Sequence, residues 1–120
     1  MQHKALSIRP FIGAKDFEVS RQFYKDLGFE ETILGPSMSV FITQNLALYL
    51  QNAYVQDWID NTMIFVEVED ANQYYNELSA LNLTLKYENV KVVPTRYNDW
   101  GKEFFLHDPS GILWHFGTFF

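Results

Sequence analysis

The sequence predicts an α+β fold of two tandem βαβββ modules, whose curved mixed sheets surround a cleft. The main observation is a repeat: strand, capping aspartate, helix, small polar residue and strand occur twice, 54 positions apart. About three further strands follow each copy, and 48% of the 120 residues are hydrophobic. Neither copy is long enough to close a core alone, so the two should pair. We expect one domain over residues 1–120, with modules at about 4–52 and 61–120.

The two helices of the repeat are marked at both ends. Asp16 and Asp70 each precede apolar residues at helical spacing, where an aspartate can act as the N-cap. Gly28 and Asn82 stand where these helices should end, because both residue types tolerate a left-handed backbone. The matching start and stop residues predict the same helix in each module.

The strands are expected in runs of apolar and β-branched residues bounded by turn residues. They are Ala5–Gly13, Phe29–Leu34, Ser39–Thr43 and Leu46–Gln51, then Thr62–Val68, Leu83–Lys86, Lys91–Pro94, Lys102–His107 and Ile112–Phe116. Gln44-Asn45 and Asp108–Gly111 are turn signals between neighbouring strands. The stretch 52–61 is expected to be a polar loop with an exposed Trp58.

Composition excludes several classes of function. The net charge is −6 with only 9 Lys and Arg residues, which disfavours binding to nucleic acid. The absence of cysteine excludes disulfides, thiolate metal sites and cysteine nucleophiles. No apolar run approaches a membrane span, and the N-terminus does not resemble an export signal, so we expect a cytoplasmic protein. Aromatic residues make up 18%, a surplus that indicates a ring-lined cavity or interface.

Local motifs at both ends of the chain resemble one superfamily. Pro10–Asp16, followed by Phe23-Tyr24 and Leu27-Gly28-Phe29, is similar to the opening strand and helix of the vicinal-oxygen-chelate superfamily. Asp108–Gly111 followed by Trp114-His115-Phe116 is similar to its closing strand. This superfamily includes glyoxalase I, extradiol dioxygenases and bleomycin-resistance proteins. The resemblance covers nearly the whole chain and implies the duplicated βαβββ fold.

Two further motifs resemble the bleomycin-resistance branch most. They are Asp60-Asn61-Thr62 before the fifth strand and Trp100-Gly101-Lys102-Glu103-Phe104. Pro10 also matches a proline at which the N-terminal arm of that branch crosses to a partner subunit. The resemblance implies a homodimer, with an exchanged arm, whose clefts hold a large cationic ligand without chemical reaction.

Metal-dependent members of the superfamily place His, Glu or Gln ligands on four strands. The resemblance puts those positions at Arg9, Tyr49, Met63 and His115. A guanidinium cannot ligate a metal, and a thioether is too soft for a hard divalent cation, so only His115 could contribute. We therefore expect no metal site, no cofactor and no metal-dependent catalysis.

The sequence thus favours a non-catalytic protein that sequesters a planar, cationic small molecule in an acidic, aromatic cleft at a dimer interface. The candidate ligand-binding residues are Arg9, Met38, Tyr49, Asp60, Met63, Phe65, Glu67, Trp100, Glu103 and His115. The rival interpretation is a glyoxalase-like lyase or isomerase, with a displaced metal site or with Glu67 and His115 as acid and base. A third is a cleft filled by its own side chains.

Individual residues leave alternatives open. Trp100 can stack on a ligand, or it can pack on its own sheet or at a dimer seam. His115 can be an imidazole bonded to a neighbour or a residue that contacts the ligand, and Glu67 can belong to the cleft or to a solvated edge. Ile33 and Met38 stand where the resistance branch supplies aromatic rings, which weakens a two-sided clamp on the ligand.

Overall fold

The computed structural model describes all 120 residues. The strands are β1 (Phe11–Gly13), β2 (Glu30–Gly35), β3 (Met38–Thr43), β4 (Leu46–Gln51), β5 (Met63–Glu67), β6 (Lys91–Asn98), β7 (Gly101–His107) and β8 (Leu113–Phe119). The helices are α1 (Phe17–Asp26), α2 (Gln56–Asp60), α3 (Ala71–Ser79) and α4 (Leu83–Lys86). None of these helices has the length and apolar character needed to cross a membrane.

The strands form two four-stranded sheets with the same internal order. The first sheet runs β1-β4-β3-β2 and the second runs β5-β8-β7-β6. In each, the first strand of the module pairs parallel with the last, and the remaining pairs are antiparallel. Each also has one register irregularity in the pair at the end of this order, between β2 and β3 in the first sheet and between β6 and β7 in the second. The predicted α+β fold of two βαβββ modules is confirmed.

The predicted helix signals are confirmed as well. The Asp16 carboxylate accepts a hydrogen bond from the amide of Val19, and the Asp70 carboxylate accepts from two amides of the first turn of α3. Gly28 and Asn82 follow the helices with φ of +109° and +56°, in the left-handed region that ends a helix. The same local signals therefore produce both helices of the repeat.

The first predicted strand is too long. Only Phe11–Gly13 of the expected Ala5–Gly13 pairs with a neighbouring strand, while residues 1–10 form no regular structure. Leu6 and Ile8 are 100% and 94% exposed. An apolar, β-prone segment becomes a strand only where a neighbouring strand accepts its hydrogen bonds, and the edge strand β1 finds partners on β4 over just three residues.

Two expectations for the linking segments are also corrected. Leu83–Lys86 is the helical turn α4, and not a strand, because the segment buries one side chain only: Leu83 is 2% exposed and Leu85 is 85% exposed. The expected loop 52–61 contains the short helix α2, although its Trp58 is exposed as predicted. β6 continues past Pro94 to Asn98, since it is an edge strand and its register irregularity accommodates the proline.

A buried hydrogen-bond network joins the two modules inside the core. The Tyr24 hydroxyl on α1 donates to Asp108 at 2.7 Å, and the Trp114 indole donates to the same hydroxyl oxygen at 3.1 Å. The other Asp108 oxygen accepts the amides of residues 110–112, each at 2.9 Å. Burial raises the pKa of Tyr24, so its hydroxyl stays protonated and donates. The turn before β8 is thereby held against the first helix.

Candidate functional site

Each sheet has one face against the core and one face toward solvent; we call the latter its open face. In the second sheet the core face holds residues such as Phe104, Trp114 and Val66, each less than 9% exposed. Because side chains alternate along a strand, the intervening residues lie on the open face. The strand registers place there Met63, Phe65, Glu67, Arg96, Glu103, Phe105, His107, His115 and Gly117. The sequence predicted five of these nine as site residues.

Three aromatic rings form an exposed group on the open face of the second sheet, which we call the ring cluster: Phe65, Trp100 and Phe119. Their centroids lie 5.1–6.0 Å apart. Phe65 and Phe119 are 44% and 53% exposed. Gly117 makes room for the cluster, since a Cβ atom there would stand 2.6 Å from the Phe65 ring and 3.2 Å from the Trp100 ring. The cluster offers ring surface to a ligand.

Trp100 lies in the turn between β6 and β7. Of the alternatives that the sequence left open for Trp100, the structure shows packing on its own sheet. The side chain is still 37% exposed. The carbonyl of Trp100 accepts a hydrogen bond from the Phe120 amide at 3.0 Å, which fixes the turn against the end of the chain. Glu67 ends β5 opposite Gly117, is exposed and forms no ion pair. The ring cluster thus has a free carboxylate beside it.

A buried polar pair lies at the centre of the same face. Glu103 is only 6% exposed, and one of its carboxylate oxygens lies 3.0 Å from His115 Nδ1. The other oxygen accepts a hydrogen bond from the Asn98 side-chain amide at 2.7 Å. Because an ionised carboxylate can only accept, Nδ1 of His115 carries the proton and Nε2 stays free. His115 is therefore bonded to a neighbour and still has one ring nitrogen for a ligand.

Aromatic rings and a cation enclose this pair. The His115 ring meets Phe105 edge to face at 4.8 Å and lies 6.3 Å from Phe65. The Arg96 guanidinium stands 4.9 Å from the centroid of the Phe105 ring and forms no ion pair. The open face of the second sheet therefore carries charges of both signs.

The remaining predicted site residues lie elsewhere in the chain. Met38 and Tyr49 are on the open face of the first sheet, where Tyr49 stacks on Phe11 with centroids 4.6 Å apart. Arg9 lies in the N-terminal arm and donates to Ser7, and Asp60 is exposed at the end of α2. No hydrogen bond or ring contact joins these four to the ring cluster or to His115. Within one chain, the candidate site residues therefore do not form one site.

A mostly apolar pocket of about 410 Å³ lies along β5. It is lined by Ile8 and Pro10 of the N-terminal arm, by residues 45–47 and by Met63 and Phe65 of β5, among others. The arm therefore reaches the edge of the open face of the second sheet.

The four positions at which the resemblance places metal ligands do not fit a metal ion. They offer one imidazole, at His115, whose Nδ1 is already bonded to Glu103. No three residues of the types His, Asp and Glu gather anywhere in the chain in a metal-binding arrangement. These four side chains therefore do not supply the set of ligands that a divalent metal ion needs.

Sequence reasoning missed several residues of this site. Phe119 lies beyond the predicted end of the last strand, and Asn98 lies beyond the predicted end of β6. Arg96 and Phe105 carried no motif, although Phe105 alternates with Glu103 and could have been placed on the same face. The alternation of the predicted strand was thus the one signal that could have extended the site.

Searches with protein-family models and among curated proteins give no match to this chain. Solved structures do match. The bleomycin-binding protein of Streptomyces verticillus, in complex with copper(II)-bleomycin, is 23% identical with a TM-score of 0.80, and the match covers 98% of each chain. A bleomycin resistance determinant encoded on the transposon Tn5 is 16% identical with a TM-score of 0.76, covering 95% of this chain and 98% of that one.

A lactoylglutathione lyase from Agrobacterium tumefaciens is also similar, at 17% identity and a TM-score of 0.66, covering 98% of this chain and 96% of the lyase. Binding proteins and an enzyme therefore share this architecture. The chain has the glyoxalase/bleomycin-resistance fold, as its sequence motifs predicted.

Proposed function

We propose that the protein binds a planar, cationic small molecule on the ring cluster and sequesters it without chemical change. The observation that carries this proposal is the exposure of Phe65, Trp100 and Phe119 as one group beside the unpaired carboxylate of Glu67. Flat rings stack on flat ligands, and the carboxylate attracts a cation. The similar Streptomyces protein, which binds bleomycin, supports a ligand of this kind.

The magnitudes of these contacts set the expected effect of losing one ring. Stacking on an aromatic side chain is worth about 0.5–1.5 kcal/mol beyond area burial. A desolvated cation over a tryptophan face contributes about 2 kcal/mol. Since 1.4 kcal/mol is about a factor of ten in Kd, removal of the Trp100 ring should weaken binding by about tenfold or more.

The test is a fluorescence titration of Trp100→Ala, with bleomycin as the first ligand and other flat cations after it. The reference background is Trp58→Phe, because Trp58 is 71% exposed on α2 and its emission would otherwise add to that of Trp100. We expect quenching in the reference protein and a Kd about tenfold higher in the Trp100→Ala variant of that background. Equal binding by the two proteins, or the absence of binding by any flat cation, contradicts the proposal.

We further propose that the protein is a homodimer whose clefts each combine the first sheet of one subunit with the second sheet of the other. Three groups of exposed apolar residues support it: the ring cluster, Phe11 at 57% exposure, and the arm residues Leu6 and Ile8. Apolar surface of this extent is usually covered by a partner. A dimer would also bring Met38 and Tyr49 of one chain opposite the ring cluster of the other.

The mass in solution tests the assembly. Light scattering should give twice the 14.1 kDa of the chain. Deletion of residues 1–8 should weaken the dimer sharply if the arm is exchanged between subunits. The matched control is Leu85→Ser. Leu85 lies on α4, is 85% exposed and belongs to none of the three groups, so its replacement should leave the dimer intact. A monomer at tens of micromolar would contradict the proposed dimer.

A second candidate function rests on the Glu103–His115 pair. A buried carboxylate that fixes an imidazole leaves Nε2 as a base on the open face, which is an arrangement suited to proton transfer in a lyase or isomerase. The partner of His115 is Glu103, whereas the sequence had suggested Glu67. Formation and breakdown of lactoylglutathione, followed by the ultraviolet absorbance of the thioester, tests this candidate. Turnover that is lost in His115→Gln would favour it over simple sequestration.

A further inference from the structure

A second concave site lies at the other end of the second sheet from the ring cluster. β7 runs from Gly101, next to Trp100, to His107, so about 20 Å of strand separates the two ends. At the His107 end there is a pocket of about 310 Å³. Its polar lining includes Lys15, Tyr54, Asn89, Lys91, His107 and Ser110. This pocket shares no residue with the ring cluster.

The charge of this pocket is opposite to that of the whole chain. The chain has 15 acidic and 9 basic residues, yet the pocket is lined by two lysines and a histidine and by no Asp or Glu. Neither Lys15 nor Lys91 takes part in an ion pair, whereas Lys25, Lys86 and Lys102 do. Two ammonium groups without counter-charges therefore face one small volume.

The carboxylates around the pocket pair with neither lysine. Asp16 and Glu88 line the adjoining pocket, and no ion pair joins either of them to Lys15 or Lys91. Asp108 follows His107 directly, but it is fully buried, and its two oxygens are occupied by Tyr24 and by the amides of residues 110–112. Burial and the nearby Lys91 lower the pKa of His107, which is the effect expected of two basic groups with no anion between them.

The pocket is also held in shape by contacts between distant parts of the chain. The Lys15 backbone amide donates to the Ser110 hydroxyl at 2.9 Å, although the two residues are 95 positions apart. The Lys15 ammonium lies 5.7 Å from the centroid of the Tyr54 ring. These contacts join the start of α1, the loop after β4 and the turn before β8 into one rim. The pocket is therefore preorganised, which lowers the ordering cost of binding a ligand.

We propose that this pocket binds the phosphate group of a small molecule. Two ammonium groups and an imidazole supply charge for a dianion, while the Asn89 amide and the Tyr54 hydroxyl supply neutral donors. The proposal stands apart from binding at the ring cluster, since it uses other residues and ligand charge of the opposite sign. Either one can fail without the other.

The test is a titration of the full-length protein with inorganic phosphate, at constant ionic strength maintained with sodium chloride. Amide chemical shifts are followed by two-dimensional NMR. We expect saturable shifts that are largest at Asn89, Lys91 and Gly111, and a Kd raised about tenfold in Lys91→Gln. Lys4→Gln is the matched control, because it removes the same charge from the exposed arm; its Kd should stay within about twofold.

A second readout is the titration of the His107 ring protons. A bound phosphate should raise the pKa of His107, because it offsets the repulsion from Lys91. Lys91→Arg should keep most of the affinity. Shifts that do not saturate, an equal loss in Lys4→Gln, or acetate binding as tightly as phosphate would each overturn the proposal.

Discussion

Tyr49 and His115 occupy the same position in the two sheets, since each lies directly opposite a phenylalanine of the adjoining parallel strand. In the first sheet Tyr49 stacks on its partner, Phe11, with the ring planes 13° apart. In the second sheet His115 instead bonds to Glu103, and its phenylalanine, Phe65, joins the ring cluster. One scaffold position therefore supports an apolar stack in one module and a polar pair in the other.

The neighbouring positions differ in the same direction. Strand register equates Met38 of the first sheet with Glu103 of the second, because each lies two register pairs away from the pair that contains Tyr49 or His115. By the same register Gln51 corresponds to Gly117, the residue whose missing side chain makes room for the ring cluster. The two modules thus differ by a few residues on their open faces, while the core face is mostly apolar in both.

The turns before the last strands form a further contrast. In the first module β3 and β4 are joined by the two residues Gln44 and Asn45. In the second, the longer turn 108–112 contains the buried Asp108. Only the second turn contributes a buried carboxyl group to the core.

The largest effect is expected for Asp108→Ala. The substitution leaves the Tyr24 hydroxyl and the amides of Ser110 and Ile112 without an acceptor, while Gly111 keeps the carbonyl of residue 108, so the free energy of unfolding should fall by about 3 kcal/mol or more. Urea unfolding measures it. Tyr24→Phe removes two bonds, one to Asp108 and one from Trp114, and should cost about 2 kcal/mol. A loss below about 1 kcal/mol in Asp108→Ala would contradict the proposed contribution of the second turn to stability.

An intermediate effect is expected for the matched positions Glu103 and Met38. Glu103→Ala removes the acceptor of both Asn98 and His115 and should lower the free energy of unfolding by about 2 kcal/mol. Met38→Ala, at the equivalent place in the half-buried apolar face, should lower it by about 1 kcal/mol. Thermal and urea unfolding of the two variants measure these changes. Equal losses of unfolding free energy would contradict the difference between a polar and an apolar open face.

The smallest effect is expected for an ion pair of the first module. The Arg21 guanidinium donates to Glu31 and holds the pKa of that carboxyl below its usual value. A lowered pKa in the folded state means that the stabilisation is complete above the usual pKa and is lost as the pH falls through the lowered one. Glu31→Gln should therefore flatten the decline of Tm between about pH 5 and pH 3. Glu30→Gln, one residue away and exposed, should leave that slope unchanged.

The sequence predicted the repeated architecture because its signals are local. Asp16 and Asp70 act on the next turn of helix, and Gly28 acts on its own φ, so each can be recognised without knowledge of the fold. The prediction of a strand at Leu83–Lys86 was wrong. The alternation of apolar and polar residues there does not show that only Leu83 is buried in the core.

The candidate site was less accessible to sequence reasoning. The sequence analysis named Glu103 and His115 as site residues. Their contact depends on the register between β7 and β8, and no residue of either strand predicts that register. The ring cluster needed Phe119 as well, and that residue meets Phe65 only because β8 extends three residues beyond its predicted end. Pairing across strands is a property of the assembled sheet.

The network between Tyr24 and Asp108 has a consequence for the two halves of the chain. The position equivalent to Tyr24 in the second module is Leu78, which has no hydroxyl group to donate, so the link exists in one direction only. The halves of the chain are therefore not interchangeable, because two copies of either half would lack one end of the bond. A circularly permuted chain that begins with the second module would, in contrast, keep both ends.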